Sequence, residues 1–553
     1  MFSEATGGGC LIVQSDLTML LAVDHPQYEE ARDALSGFAE MVKSPEYVHT
    51  YKLTRLSLWN AASAGLSTDQ VIDQLRRFAK HELPPLVVTR VVDWGKRYGR
   101  VKLLLEDDKF ILRCDDEYLA AELANTKGVA KYIRQTLDAV SFEVDVAWRG
   151  HIKQALIAAE YPAEDLAGYR PASPLSFELR EQALSGASFR LRPYQTEAAA
   201  VFHANGEARG GHGVIVLPCG AGKTIVGMAA MAQLQTETLI ITTSITAVRQ
   251  WLAELLDKTT LKEENIGEYS GERKELRQVT ATTYHILSMS ERHRELLDSR
   301  KWGFIIYDEV HTLPAPVFRL TAELQSKRRL GLTATLIRED GLEGDVFTLI
   351  GPKRYEVPWK TLEKSGHIAA VECFERRVPL AADLRMSYAV ADKREKFRLA
   401  SENPNKYKLV QDLVQKHRGR HILVIGLYLS QLDEMAKQLK APLVTGKTKN
   451  KEREELYRQF RQGQTPVIIV SKVANYAIDL PDANVAIEIS GSFGSRQEEA
   501  QRLGRILRPK AGDNRAWFYT LVTSDTVEEN FAAHRQLFLV EQGYPYTVVS
   551  DPQ

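Results

Sequence analysis

The chain has 553 residues, past the length at which one core stops growing, so about two to four domains are expected. Lys plus Arg number 72 and Asp plus Glu number 72, so no global field recruits polyanions, and nucleic-acid contacts must come from local basic surfaces. Cys10, Cys114, Cys219 and Cys373 lack CxxC spacing, which argues against a disulfide framework or a zinc site, and no apolar run approaches the ~20 residues that span a bilayer; a cytoplasmic protein with no membrane partner is expected.

The first third is mixed α+β. Ser67 and Gln70 form a capping box, and Val71, Ile72, Leu75, Phe78 and Ala79 repeat at helical spacing behind it. Val101, Leu103 and Leu105 alternate, Asp107 and Asp108 offer a turn, and Phe110 and Leu112 resume, which predicts a β-hairpin. "EYPAEDLAGYRPASPLSF" is rich in Pro and Gly and reads as a small module or linker. From about 189 onward, short apolar runs alternate with helical stretches: "GVIVLP", "TLIITTS", "VTATTY", "GFIIYDE" and "RLGLTAT", then "HILVIGL", "PVIIVSK", "VAIEIS" and "AWFYTLVT". Runs buried on both faces predict parallel sheets, hence two α/β lobes.

Chemistry gathers where these runs stop. "LPCGAGKT" follows one of them, and Pro218, Cys219, Gly220, Ala221 and Gly222 turn the backbone toward a phosphate at a helix N-terminus. Leu217 stands where the phosphate-loop pattern has its first Gly. Lys223 is positioned for the β and γ phosphates of ATP, and the Thr224 hydroxyl for Mg²⁺. The plain alternative is a glycine-rich turn without a ligand. In "IIYDEVHTLP", Asp308 offers a carboxylate to the metal and Glu309 one to the attacking water; a solvated acidic turn is the competing reading. "QRLGRILRP" spaces Arg502, Arg505 and Arg508 along a helix with Arg505 and Arg508 on one face, fit for arginine fingers or for a basic surface helix.

Together these motifs resemble a superfamily 2 helicase or translocase core, in which "GAGKT" suffices without the first glycine. "LRPYQ" looks like the upstream adenine-reading motif, with Arg192 and Gln195 at the base. "TSITAVRQW" and "VTATTYHIL" look like nucleic-acid motifs, "DEVH" like motif II and "TAT", Thr333 to Thr335, like motif III; "AIDLP", Ala477 to Pro481, sits where motif V belongs, and the arginine helix with Gln501 is motif VI. "DEVHTLPAPVFR" and "GLTATLIRED", with the triplet Arg338, Glu339 and Asp340, are similar to the XPB-like DNA repair helicases. The likeness extends to "SPEYVHTYKLTRLSLWNAASAGLS" and "YGRVKLLL" near the N-terminus.

The resemblance implies two RecA-like parallel-sheet lobes with an N-terminal α+β domain and a small thumb insertion. It divides the chain into 1–135 (N-terminal domain), 136–185 (damage-recognition-like module or linker), 186–355 (lobe 1) and 356–553 (lobe 2), with the thumb at about 381–405. Lys393, Arg394, Lys396 and Arg398 of the thumb either meet DNA phosphates or form a solvated helix face. Catalysis then rests on Lys223, Asp308, Glu309, Gln501, Arg505 and Arg508 with ATP and Mg²⁺, while His311, Thr333, Thr335 and the triplet couple hydrolysis to DNA opening. The implied activity is 3′ to 5′ movement on single-stranded, forked or duplex DNA, with a nuclease or repair protein as partner. Duplex translocation without strand separation, RNA unwinding and an ATP-gated clamp stay open as alternatives.

Overall fold

The computed structural model describes residues 9–43, 47–107, 109–145, 148–167, 173–206, 210–289, 300, 302–312, 326, 328–334, 346–347, 349–357, 359–471, 483–491, 499, 502–504, 506–507 and 514–550. The chain forms two compact units. Met1–Leu217 with Gly222–Glu356 is one, and Val357–Gln553 with the loop tip Pro218–Ala221 is the other.

Among the described residues the first unit contains three sheets. Strands β1 (Leu11–Val13), β2 (Thr18–Ala22), β3 (Glu40–Lys43) and β4 (Val48–Lys52) pair antiparallel in the order β1-β2-β4-β3. The capped helix is Thr68–Phe78: Ser67 and Gln70 exchange side-chain and backbone hydrogen bonds, and Val71, Ile72, Leu75 and Phe78 are its buried face. Ala79 is extended and ends the helix.

The second sheet comprises β5 (Val101–Glu106), β6 (Lys109–Cys114), β7 (Ile133–Thr136), β8 (Ser141–Val144) and β9 (Ala163–Asp165), in the order β7-β8-β6-β5-β9. The predicted hairpin is β5–β6, closed with Glu106 opposite Lys109 and Asp107 left-handed at φ 48°. The boundary expected at 135 runs through β7, whose pairing with β8 holds both sides of it in one sheet. The core under this sheet includes Val101, Leu103, Leu112, Phe142, Ile152 and Leu156.

The third sheet is all parallel: β10 (His212–Val216), β11 (Thr238–Thr242), β12 (Ile266–Tyr269), β13 (Val279–Thr283), β14 (Phe304–Asp308), β15 (Arg328–Thr333) and β16 (Lys353–Glu356), in the order β12-β13-β11-β14-β15-β10-β16. β11 and β13 are buried at every residue, as strands covered on both faces must be. β16 ties this sheet to the N-terminal helix Arg55–Ser63: Arg354 Nη1 donates to the Ser63 carbonyl at 2.9 Å and the Lys353 amide donates to Asn60 Oδ1 at 3.2 Å.

The second unit holds another parallel sheet: β17 (Ala370–Val378), β18 (Ile422–Gly426), β19 (Leu443–Val444), β20 (Val467–Ser471), β21 (Val485–Glu488), β22 (Arg515–Thr523) and β23 (Tyr546–Ser550), in the order β19-β20-β18-β21-β22-β17-β23. Between β17 and β18 the thumb candidate forms the helices Arg385–Val390 and Lys393–Ser401, the latter capped by Asp392. Lys393, Arg394 and Arg398 are exposed, and Arg398 is already paired with Glu402 at 2.8 Å.

Candidate nucleotide site

Neighbouring strands β14, β15 and β10 end side by side. Asp308 pairs in register with Leu332, and Thr333 with Val216. Just beyond β10, Leu217 donates its amide to the Thr333 carbonyl at 3.0 Å and is fully buried. It therefore extends the strand, and a side chain is accommodated where the usual pattern has glycine. The bend comes later: Gly220 and Gly222 have φ of 81° and 82°, a region that other residues enter at a cost of roughly 1–2 kcal/mol. Gly222 caps the helix Lys223–Leu234, so its first amides face the loop.

Gln195 lies against this loop. A Cβ on Gly222 would come within 2.5 Å of Gln195 Nε2, and Gln195 Oε1 accepts the Arg192 amide at 2.9 Å. Arg192 Nη1 donates to the Tyr194 hydroxyl at 3.1 Å.

The polar centre is compact. Lys223 Nζ donates to Glu309 Oε1 at 2.6 Å, and Glu309 Oε2 stands 3.5 Å from His311 Nδ1. The same His311 nitrogen meets Thr333 Oγ1 at 2.6 Å, which joins the end of β15 to the turn after β14. Glu309 holds a left-handed backbone at φ 50°, strain of the kind that collects at functional sites. Asp308 Oδ2 accepts the Trp251 indole N–H at 2.9 Å, Oδ1 accepts the Glu309 amide at 3.0 Å, and its carbonyl accepts the Tyr284 hydroxyl at 2.9 Å. Burial, then the Glu309 charge, push the Asp308 carboxyl up to about 6, against the opposing pull of Lys223 and Trp251.

Trp251 reaches Asp308 because Gly227 makes room: a Cβ there would sit 2.6 Å from the indole. Sequence reasoning placed Trp251 inside a nucleic-acid motif and missed its hold on Asp308. Gly227 in the middle of a helix was the available signal, since such a glycine needs a packing reason.

Among the described residues, no group of three His, Cys, Asp or Glu side chains could hold a metal. Thr224 lies in the first turn of that helix and Asp308 at the end of β14.

In the second unit Arg502 turns inward. It is 1% exposed, its Nη1 lies 2.9 Å from Glu488 Oε1, and Arg535 Nε approaches the same oxygen at 3.2 Å. Arg535 also faces Glu499 Oε2 at 3.5 Å, and the Tyr546 hydroxyl donates to Glu499 Oε1 at 2.9 Å. The adjacent Gly504 lies against Cys219: a Cβ would come within 2.2 Å of the Cys219 Cβ.

Family models match most of the chain: "ERCC3/RAD25/XPB C-terminal helicase" over residues 362–553, "Type III restriction enzyme, res subunit" over 188–338 and "Helicase conserved C-terminal domain" over 11–138. A protein named DNA 3′-5′ helicase XPB from Kineococcus radiotolerans is 50% identical over 98% of this chain and 96% of its own length. The chain belongs to the XPB helicase family. An identically named protein from Mycobacterium tuberculosis is 50% identical over 98% of this chain and 97% of its own length. A more distant XPB relative, the "General transcription and DNA repair factor IIH helicase/translocase subunit XPB" of Enterocytozoon bieneusi, is 34% identical over 98% of this chain and 92% of its own.

Of the residues expected to act in this XPB-family site, Lys223, Asp308, Glu309, His311 and Thr333 are brought together, with Gln195 at the loop. Gln501, Arg505, Arg508, Thr335, Arg338, Glu339, Asp340 and the stretch 477–481 lie outside the described residues.

Proposed function

We propose that this chain is an ATP-driven 3′ to 5′ DNA helicase whose hydrolytic centre is built on the ends of β10, β14 and β15. The observation that carries the reading is the Lys223–Glu309 ion pair at 2.6 Å beside Asp308, in a chain of XPB lineage. A triphosphate seated on the loop draws the Lys223 ammonium to its oxygens, and Glu309 is released to orient and deprotonate the attacking water. Mg²⁺, when bound by Thr224 and Asp308, offsets charge on the phosphate oxygens. Arg505 and Arg508 act as arginine fingers, Gln501 supports them, and Arg192 and Gln195 read the adenine. The His311–Thr333 hydrogen bond passes the state of Glu309 to β15, and from there to the segment carrying Thr335, Arg338, Glu339 and Asp340, which opens DNA.

The partner is DNA, single-stranded, forked or duplex, with a nuclease or repair protein alongside. The free thiols of Cys10, Cys114 and Cys373 support a cytoplasmic setting. Among the described residues, no helix is long and apolar enough to cross a membrane.

A second reading, duplex translocation without strand separation, draws on the relative named a helicase/translocase subunit. Strand displacement on forks of both polarities separates the two, with ATP turnover followed in parallel. Product from forks with a 3′ loading strand supports the helicase. Turnover on DNA without product supports the translocase, and turnover that responds only to RNA contradicts both.

A further inference from the structure

The five-stranded sheet carries an aromatic cluster remote in sequence from the nucleotide-binding motifs. Trp148 is 46% exposed, unusual for a residue of its size. Its ring stands 5.8 Å from Tyr132 and 5.1 Å from His151, and Tyr132 lies 6.2 Å from His151. The cluster joins two elements: Tyr132 follows the short helix Lys127–Ala130, and Trp148 and His151 flank the start of the helix Arg149–Ala158 on which that short helix packs. Ile152 and Leu156 of the longer helix are fully buried, so the platform under Trp148 is fixed.

One cation lies on the cluster and two more are close in sequence. Lys131 Nζ is 4.7 Å from the Tyr132 centroid, Lys127 and Lys131 are exposed, and the Arg134 side chain is 70% exposed on β7, the last strand of the sheet among the described residues. Glu143 lies 3.7 Å from Arg134 but is shared with Lys109, and Asp145 is an exposed acid nearby in sequence. An exposed indole backed by two part-buried rings, with Lys131 on one of them, matches what an unpaired base and its phosphate present; a paired base hides its face in the stack.

We propose that Trp148, backed by Tyr132 and His151, is a stacking platform for an unpaired base of single-stranded DNA, with Lys127, Lys131 and Arg134 taking its phosphates. The inference rests on the DNA reading above and adds a second contact, distinct from the residues that handle nucleotide hydrolysis.

The test measures binding of a fluorescein-labelled oligothymidylate and of a blunt duplex by anisotropy, with the full chain and no nucleotide. Trp148→Ala is expected to weaken oligothymidylate binding roughly tenfold, the size of one lost base stack, and to leave duplex affinity unchanged. Trp148→Phe keeps a stacking face and should bind within about threefold of wild type, which separates stacking from misfolding. Lys131→Glu with Arg134→Glu should flatten the salt dependence of oligothymidylate binding. Wild-type affinity in Trp148→Ala overturns the proposal and marks the patch as a protein contact, and equal losses on duplex overturn it too. A wild-type chain that binds neither DNA removes the DNA reading itself, whatever Trp148 does.

Discussion

Lys223 and Glu309 form a direct ion pair, Nζ to Oε1 at 2.6 Å, between the phosphate loop and the turn after β14. On the proposed reading, each side chain holds the other where the triphosphate and the water are to be met. Replacing Glu309 with Gln frees Lys223 while removing the base. ATP affinity should be kept or tightened and turnover should fall about 10³-fold, as loss of a general base requires. Lys223→Ala should instead weaken ATP binding roughly tenfold or more. Equilibrium titration with a fluorescent ATP analogue, alongside single-turnover hydrolysis, reads both.

Trp251 donates to Asp308 Oδ2 at 2.9 Å and so favours the charged carboxylate. Without that donor the Asp308 carboxyl moves further above about 6, and the ionised form is lost at higher pH than before. The acidic limb of the kcat/KM profile of Trp251→Phe should therefore shift upward, with a several-fold loss near neutrality. Gly227→Ala should act in the same direction. Its new methyl meets the indole at 2.6 Å and also costs about 1–3 kcal/mol of stability by overpacking.

Glu488 and Glu499 share two buried arginines and titrate in opposite directions. Burial pushes the Glu488 carboxyl up, but Arg502 and Arg535 together outweigh it and hold that group low, whereas burial and the Glu488 charge raise Glu499 to about 8. A carboxyl raised in the folded state binds its proton more tightly there than in the unfolded chain. Wild-type stability is then lost as pH rises from the ordinary carboxylate range toward 8. Glu499→Gln mimics the protonated form, so its melting temperature should match wild type near pH 5 and exceed it progressively up to about pH 8. Glu488→Gln leaves two buried guanidiniums with Glu499 alone as counter-charge, and should lower stability throughout the neutral range, by at most about 3–5 kcal/mol. Thermal melts of both variants across pH check the contrast.

Much of this architecture was legible because parallel strands buried on both faces read as continuous apolar runs. β10, β11, β13, β14 and β15, and β18, β20, β21 and β22, each fall on such a run. β17 did not, because its "AVECFERRV" alternates buried and more exposed positions, and Glu375 within it is buried against Arg377. β16, "KRYE", is half-buried throughout and carries no apolar signal.

At the site, Lys223, Asp308 and Glu309 were legible because strand-end placement and residue chemistry agree. Trp251 and the pair Glu488–Arg535 were not, because their partners lie 57 and 47 positions away in the chain and only folding brings them together. Arg502 shows the limit from the other side: helical spacing set it apart from Arg505 and Arg508, but nothing local named Glu488 as its partner.

The central claim is that hydrolysis at Lys223, Asp308 and Glu309 is driven by DNA. The measurement that tests it most directly is steady-state ATP turnover by the full chain, titrated with single-stranded DNA, beside Lys223→Ala under the same conditions. The predicted result is a saturable rise of about tenfold or more in wild type, and no turnover above background in the variant. Turnover indifferent to DNA, or surviving in Lys223→Ala, would contradict it.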